Sequence, residues 1–144
     1  MSDDASQTPR QAVSDEHWDR LYDRAKTARR NAWSPYSHFQ VGAALLTESG
    51  EVFSGCNVEN ATFGATVCAE RTAVGCAVKE GETSFRALVV LTDLEEPARP
   101  CGICRQVLAE FCDDLPVMLA NLDGLREFTT LDALLPQRFS GRDF

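Results

Sequence analysis

Apolar residues follow two rhythms along this chain. In the first they run without interruption: Val41-Gly42-Ala43-Ala44-Leu45-Leu46, Ala87-Leu88-Val89-Val90-Leu91 and Val117-Met118-Leu119-Ala120. Runs of this length read as strands, and the unbroken run over 87–91 is typical of a central buried strand. The first run predicts a strand over 39–47, which Glu48-Ser49-Gly50 turns back into a second over 52–56, a β-hairpin. The other two predict strands over 85–91 and 117–120. In the second rhythm apolar residues recur every three or four positions. Trp18, Leu21, Tyr22, Ala25 and Ala28 do so behind a Ser14 cap, and that helix should stop before Ser34-Pro35. Further helices are predicted over 68–78, closed by Gly81, over 101–111 behind Pro100, and over 131–135 ahead of Pro136. Residues 57–67, small and polar, read as a loop. Helix and strand alternate after the hairpin, so the expected fold is α/β, a three-layer α/β/α sandwich around a mixed sheet.

At 144 residues the chain has the size of one domain with a full core. No repeat or linker divides it, so residues 14–144 are expected to form that domain and the polar residues 1–13 a disordered tail. No signal-peptide pattern opens the sequence and no apolar run is long enough to span a bilayer, which favours a cytoplasmic protein without a membrane partner. Lys and Arg number 14 against 22 Asp and Glu, for a net charge of −8. Binding to phosphates needs the opposite balance, so the chain disfavours a nucleic-acid polymer and favours a small neutral substrate. The six cysteines, without an export signal, are expected to be reduced. Cys56, Cys76 and Cys112 have no ligand-like spacing and read as small buried apolar residues.

The other three thiols point to chemistry. Cys101 and Cys104, three apart, share one face of a helix's first turn, and Cys68 opens the preceding helix. Helix N-termini favour the thiolate, the form that binds metal. A closed structural zinc site has four protein ligands, whereas three leave a position open for water. Thiolates suit zinc better than hard cations, so zinc is the expected cofactor. Glu70, two residues after Cys68, is placed to act as a general acid/base in metal-assisted hydrolysis. Its other reading is a first-turn glutamate that merely favours the helix dipole. Three thiolates on one divalent ion leave net negative charge, which Arg71 and Arg105, each beside a motif residue, could offset through hydrogen bonds to sulfur. A surface ion pair is the other reading of each, and the one favoured for Arg105. His17 and His38 are spaced with no cysteine and read as exposed or hydrogen-bonded structural residues.

Four motifs occur in order: Pro35-Tyr36-Ser37-His38-Phe39-Gln40-Val41-Gly42-Ala43-Ala44, Gly55-Cys56-Asn57-Val58-Glu59-Asn60-Ala61, Cys68-Ala69-Glu70-Arg71, and Pro100-Cys101-Gly102-Ile103-Cys104-Arg105-Gln106. With these motifs, from the first helix to the C-terminus, the sequence resembles the cytidine deaminases, in their short form with a Cys-only zinc site. The Cys-x-Glu and Pro-Cys-x-x-Cys spacings are close to those of zinc deaminases that act on nucleobases. The resemblance implies one zinc ion per subunit on Cys68, Cys101 and Cys104, Glu70 as the proton shuttle and Arg71 as the residue that tunes the thiolates. It further implies Asn57 and Glu59 on the ribose hydroxyls, Phe39 against the pyrimidine, and the Ala69 N–H on the pyrimidine carbonyl oxygen. Phe139, in Leu135-Pro136-Gln137-Arg138-Phe139-Ser140, is similar to a phenylalanine that reaches a neighbouring subunit's site, and the family's short form is a homotetramer. The sugar assignment also has a physical basis, since a carboxylate beside an amide offers acceptors and a donor to a diol. Loop capping is the other reading of Asn57 and Glu59. Phe63, Trp33 and Ile103 depart from the family pattern, which bears on pocket shape and assembly.

The implied activity is hydrolytic deamination of cytidine and 2′-deoxycytidine, as free nucleosides, in pyrimidine salvage. Two other readings compete. One keeps the chemistry and changes the substrate to a cytosine-containing antibiotic such as blasticidin S. The other is a structural zinc module that binds RNA or protein, which expects a fourth ligand and has no use for Glu70.

Overall fold

A computed structural model describes residues 7–144. Helix α1 (Asp15–Arg29) leads into the hairpin of β1 (Gly42–Thr47) and β2 (Val52–Cys56), followed by α2 (Ala69–Lys79) and β3 (Phe85–Thr92). Next come α3 (Gly102–Phe111), β4 (Pro116–Asn121), β5 (Arg126–Thr130) and the short α4 (Leu131–Leu134). The strands form one sheet in the order β2-β1-β3-β4-β5. Only β3 and β4 run parallel; the other neighbours are antiparallel, so the sheet is mixed as expected. The parallel pair is the one that needs a crossover, and α3 supplies it.

The unbroken apolar runs follow from this layering. Successive strand residues point to opposite faces. Ala43, Leu45, Leu88, Val90, Val117 and Leu119 face a core completed by α2, α3 and α4 through Ala73, Val74, Leu108 and Leu131. Ala44, Leu46, Val89, Leu91, Met118 and Ala120 face a second core completed by Trp18, Leu21 and Ala25 of α1. Three layers result. Trp18 is 1% exposed, and its indole N–H is satisfied by the Arg10 carbonyl at 2.8 Å.

Two glycines set how closely the helices approach the hairpin. A Cβ on Gly42 would collide with the Ala25 carbonyl of α1. A Cβ on Gly55 would lie 2.5 Å from the Ala73 nitrogen and 2.6 Å from the Ala69 carbonyl oxygen of α2. The first turn of α2 therefore sits directly on the β2 backbone.

Several expectations need correction. Residues 1–6 of the expected tail lie outside the described residues. Residues 7–13 are not a loose tail: Arg10–Ala12 form a 3-10 turn and Val13 is buried, because the Trp18 indole anchors the turn. The first strand begins at Gly42 and not at 39, since the Asn57 side chain, not a strand partner, satisfies the Phe39 carbonyl and the Val41 N–H. Strand β5 was not expected. Arg126-Glu127-Phe128-Thr129-Thr130 is an edge strand with charged residues, as edges favour, and Phe128 is its contact with the core, edge-on to Trp18 at 5.3 Å.

Candidate active site and metal centre

Helices α2 and α3 open at Cys68 and Cys101, which are their N-caps in extended conformation. The Cys101 sulfur accepts the Cys104 N–H at 3.5 Å, in the position where a capping serine would place its oxygen. The sulfurs of Cys68, Cys101 and Cys104 all lie within 4.8 Å of one another, with Cys68 and Cys101 3.7 Å apart. Tetrahedral coordination with Zn–S near ~2.3 Å sets sulfurs about 3.8 Å apart, so the three thiols fit one zinc ion. No further histidine, cysteine or carboxylate joins the cluster among the described residues.

Charge around the cluster is arranged to suit a cation. Cys68 is pulled down to about 5, first by a hydrogen bond from the Cys104 thiol and then, against the effect of burial, by Arg71. Cys104 is pushed up by its bond to Cys68 and by burial. A bound divalent ion draws off the protons that the metal-free thiols keep. Arg71 Nη2 donates to the Cys68 sulfur at 3.6 Å and to the Thr66 carbonyl at 3.2 Å, while its buried Nε has no hydrogen-bond partner. An unpaired buried guanidinium N–H is costly unless negative charge lies beside it, which the thiolates supply. Arg105 does not share this role. Its guanidinium donates to the Pro100 and Leu134 carbonyls, both at 2.7 Å, so it braces α3 against α4.

Glu70, 4% exposed, stands beside the cluster in the first turn of α2. Burial pushes its carboxyl up to about 7, with a smaller push from the charge on Cys68. A carboxyl held near neutrality can both take and return a proton. The first helical bond of α2 runs from Thr72 N–H to the Cys68 carbonyl, which leaves the Ala69 N–H without a helical acceptor.

Phe39, Asn57, Cys68, Ala69, Glu70 and Cys101 line a single cavity of about 210 Å³. Val41, Val90 and Ala98 add apolar wall, and none of the three was singled out from sequence. The Asn57 amide is already engaged: its Oδ1 accepts the Val41 N–H at 2.9 Å and its Nδ2 donates to the Phe39 carbonyl at 2.7 Å. One amide hydrogen and one lone pair remain for a ligand.

Glu59 lines a neighbouring cavity of about 380 Å³ with Tyr36, Ser37, Phe63 and Thr66, and Thr66 belongs to both cavities. Its Oε1 accepts the Tyr36 N–H at 3.0 Å and the Ser37 N–H at 3.2 Å, and the Ser37 hydroxyl donates to Oε2. That hydroxyl is the main reason the Glu59 carboxyl lies below its ordinary range. Ser37 is the site residue that sequence reasoning passed over. Its place two residues before Phe39, where a serine can cap a turn, was the available signal.

Phe139 lies apart from these cavities. It is 59% exposed, stacks edge-on to Phe144 at 5.5 Å, and lines a cavity of about 430 Å³ at the C-terminal end of α3. Trp33, Phe63 and Ile103, the three departures from the family pattern, are exposed as well, and Phe63 packs edge-on to Tyr36 at 5.8 Å. Cys112 is buried as expected, whereas Cys56 and Cys76 are only partly so. His38 is exposed and His17 partly buried.

No helix among the described residues is long and apolar enough to cross a membrane. A family model described as the cytidine and deoxycytidylate deaminase zinc-binding region matches residues 15–120. The chain is 52% identical over 126 residues to a cytidine deaminase of Sporosarcina psychrophila, a match that covers 87% of this chain and 93% of that protein. The crystal structure of a cytidine deaminase from Burkholderia pseudomallei superposes with a TM-score of 0.82 at 44% identity, over 88% of this chain and 100% of that one. A blasticidin-S deaminase of Bacillus cereus is more distant, 32% identical over 69% of this chain and 76% of that protein.

Proposed function

We propose that this chain, which belongs to the cytidine and deoxycytidylate deaminase family, hydrolyses cytidine and 2′-deoxycytidine to uridine and 2′-deoxyuridine with release of ammonia. The observation that carries this reading is one small cavity walled by Cys68 and Cys101 of the three-thiol cluster and by a buried carboxyl held near neutrality. Zinc, one ion per subunit on Cys68, Cys101 and Cys104, supplies Lewis-acid activation of water when bound. Glu70 takes a proton from the water that adds at C4 of the base, delivers it to ring N3, and then passes a proton to the leaving amino group. Arg71 offsets the charge of the thiolates. The Ala69 N–H meets the carbonyl oxygen of the base, Phe39 packs against its ring, and Asn57 and Glu59 take the sugar hydroxyls.

The wider setting is part of the same reading. A net charge of −8 favours free nucleosides over nucleic-acid polymers. A thiolate cluster requires reduced cysteines, which suits a cytoplasmic enzyme of pyrimidine salvage. Exposed Trp33, Phe63, Ile103 and Phe139 offer apolar surface for a homotetramer in which Phe139 reaches a neighbour's site. The test is the fall in ultraviolet absorbance of cytidine on adding the zinc-loaded protein, with blasticidin S assayed in parallel. Glu70→Gln should keep its zinc and lose about 10²- to 10⁴-fold in turnover. Retained turnover in that variant would overturn the mechanism, and activity on blasticidin S alone would overturn the substrate.

A further inference from the structure

Glu59 and Phe39 meet at one hydroxyl. Ser37 Oγ donates to Glu59 Oε2 and accepts the Phe39 N–H at 3.0 Å. One atom thus joins the carboxylate assigned to the sugar and the backbone that carries the ring assigned to the base. The turn is shaped to make this possible. His38 donates its N–H to the Ser34 carbonyl at 2.9 Å and adopts φ 60°, a left-handed conformation that non-glycine residues rarely take. That bend brings the Phe39 N–H back to a hydroxyl two residues earlier.

The acceptors of Glu59 can be counted. A carboxylate has about four lone-pair positions. The Tyr36 and Ser37 N–H groups occupy two on Oε1, and the Ser37 hydroxyl occupies one on Oε2. The position left over belongs to Oε2, the oxygen the Ser37 hydroxyl holds, so that hydroxyl fixes the direction of the one free lone pair without binding the ligand itself. Asn57 holds the other side of the same segment through the Phe39 carbonyl and the Val41 N–H.

We propose that Ser37 is a positioning residue that couples sugar recognition to base packing, its hydroxyl holding the Glu59 carboxylate and the Phe39 backbone in one geometry. This rests on the nucleoside reading given above. Simple loop capping would support every ligand alike. Coupling instead makes the loss on removing the hydroxyl depend on whether the ligand has sugar hydroxyls for Glu59 to bind.

The experiment compares the zinc-loaded wild type with Ser37→Ala and Ser37→Thr, on cytidine and on 2′,3′-dideoxycytidine. Ser37 is exposed, so neither change touches the core. A hydrogen bond to a charged group corresponds to roughly tenfold to hundredfold in affinity. Ser37→Ala should lose that factor in kcat/KM on cytidine, mainly through KM, and lose less than about threefold on the dideoxy compound. Ser37→Thr, which keeps the hydroxyl, should restore most of the loss. Binding of uridine, followed by calorimetry, should weaken by the same factor in Ser37→Ala. Equal losses on both substrates, no loss on cytidine, or failure of threonine to rescue would each overturn the proposal. A wild type that binds uridine but leaves cytidine intact would sink the deamination reading, and the uridine series would still decide the role of Ser37.

Discussion

Changing Gly55 to alanine should disturb the cavity beside the thiol cluster from the opposite side of a helix. The new Cβ would stand 2.5 Å from the Ala73 nitrogen, 2.6 Å from the Ala69 carbonyl oxygen and 2.9 Å from the Thr72 Cβ. The two nearest atoms are backbone and cannot swing away. Ordinary contact begins at 3.4 Å, so α2 must retreat from β2 by the shortfall, about 0.9 Å. Overpacking of this kind costs about 1–3 kcal/mol, and at roughly 3–4 °C per kcal/mol for a domain of this size Tm should fall by about 3–12 °C. The same turn of α2 carries Cys68, Ala69 and Glu70, and a shift near 1 Å at a reacting group costs on the order of 10²-fold in rate. Gly75→Ala is the matched control. Gly75 lies in the same helix, is exposed, and has nothing within 4 Å of an added Cβ. Alanine there should stabilise by about 0.5–1 kcal/mol and leave turnover alone. Thermal unfolding, zinc per chain and kcat/KM would be measured for both. A Gly55→Ala protein with wild-type Tm and kcat/KM would refute the claim that this backbone contact seats the helix.

Removing Arg71 should weaken zinc retention by about 10- to 100-fold in competition with a chelating dye, as for other groups that support metal ligands; unchanged affinity would show that Arg71 does not support the thiolates. Burial pushes the Cys112 thiol from 9.0 up to about 11, so the folded chain keeps a proton that the unfolded chain gives up. The stability this contributes is complete below pH 9 and is lost as pH rises toward 11. Denaturant unfolding of wild type and Cys112→Ala across that window should therefore show the wild type losing more, and parallel curves would count against it.

What the sequence conveyed depended on how local each signal was. The three apolar runs identify the central strands because both faces of the sheet are covered, and the helical spacing of Trp18, Leu21 and Ala25 follows from packing on one of them. Cys68, Cys101 and Cys104 were legible because helix caps and a three-residue spacing are short-range features. Strand β5 was hidden because an edge strand takes much of its order from its neighbour β4, and its own residues need not be apolar. Pairing across 22 residues between Ser37 and Glu59, or across 29 between Arg105 and the Leu134 carbonyl, leaves no local trace. Arg105 illustrates the limit: its position beside Cys104 left sulfur and a surface ion pair both open, while the fold gives it two carbonyls. The Asn57 amide likewise proves to be a clamp on the Phe39–Val41 backbone, a use that residue type alone does not distinguish from sugar binding.

The thiol cluster also has a consequence for the chain as a polymer. Cys68 and Cys101 are 33 residues apart in sequence, and α2 and β3 lie within that span. An ion held at both ends ties the span into a ring. For a covalent tie, the entropy such a ring removes from the unfolded chain lies between about 3 kcal/mol for a 15-residue loop and about 4.7 kcal/mol for a 100-residue one. An ion that stays on these sulfurs during unfolding would restrict the denatured ensemble in the same sense, and one that leaves would stabilise the folded state by mass action instead. A metal held by this cluster would thus also be a reversible staple, and stripping it should change how far the chain wanders before it refolds.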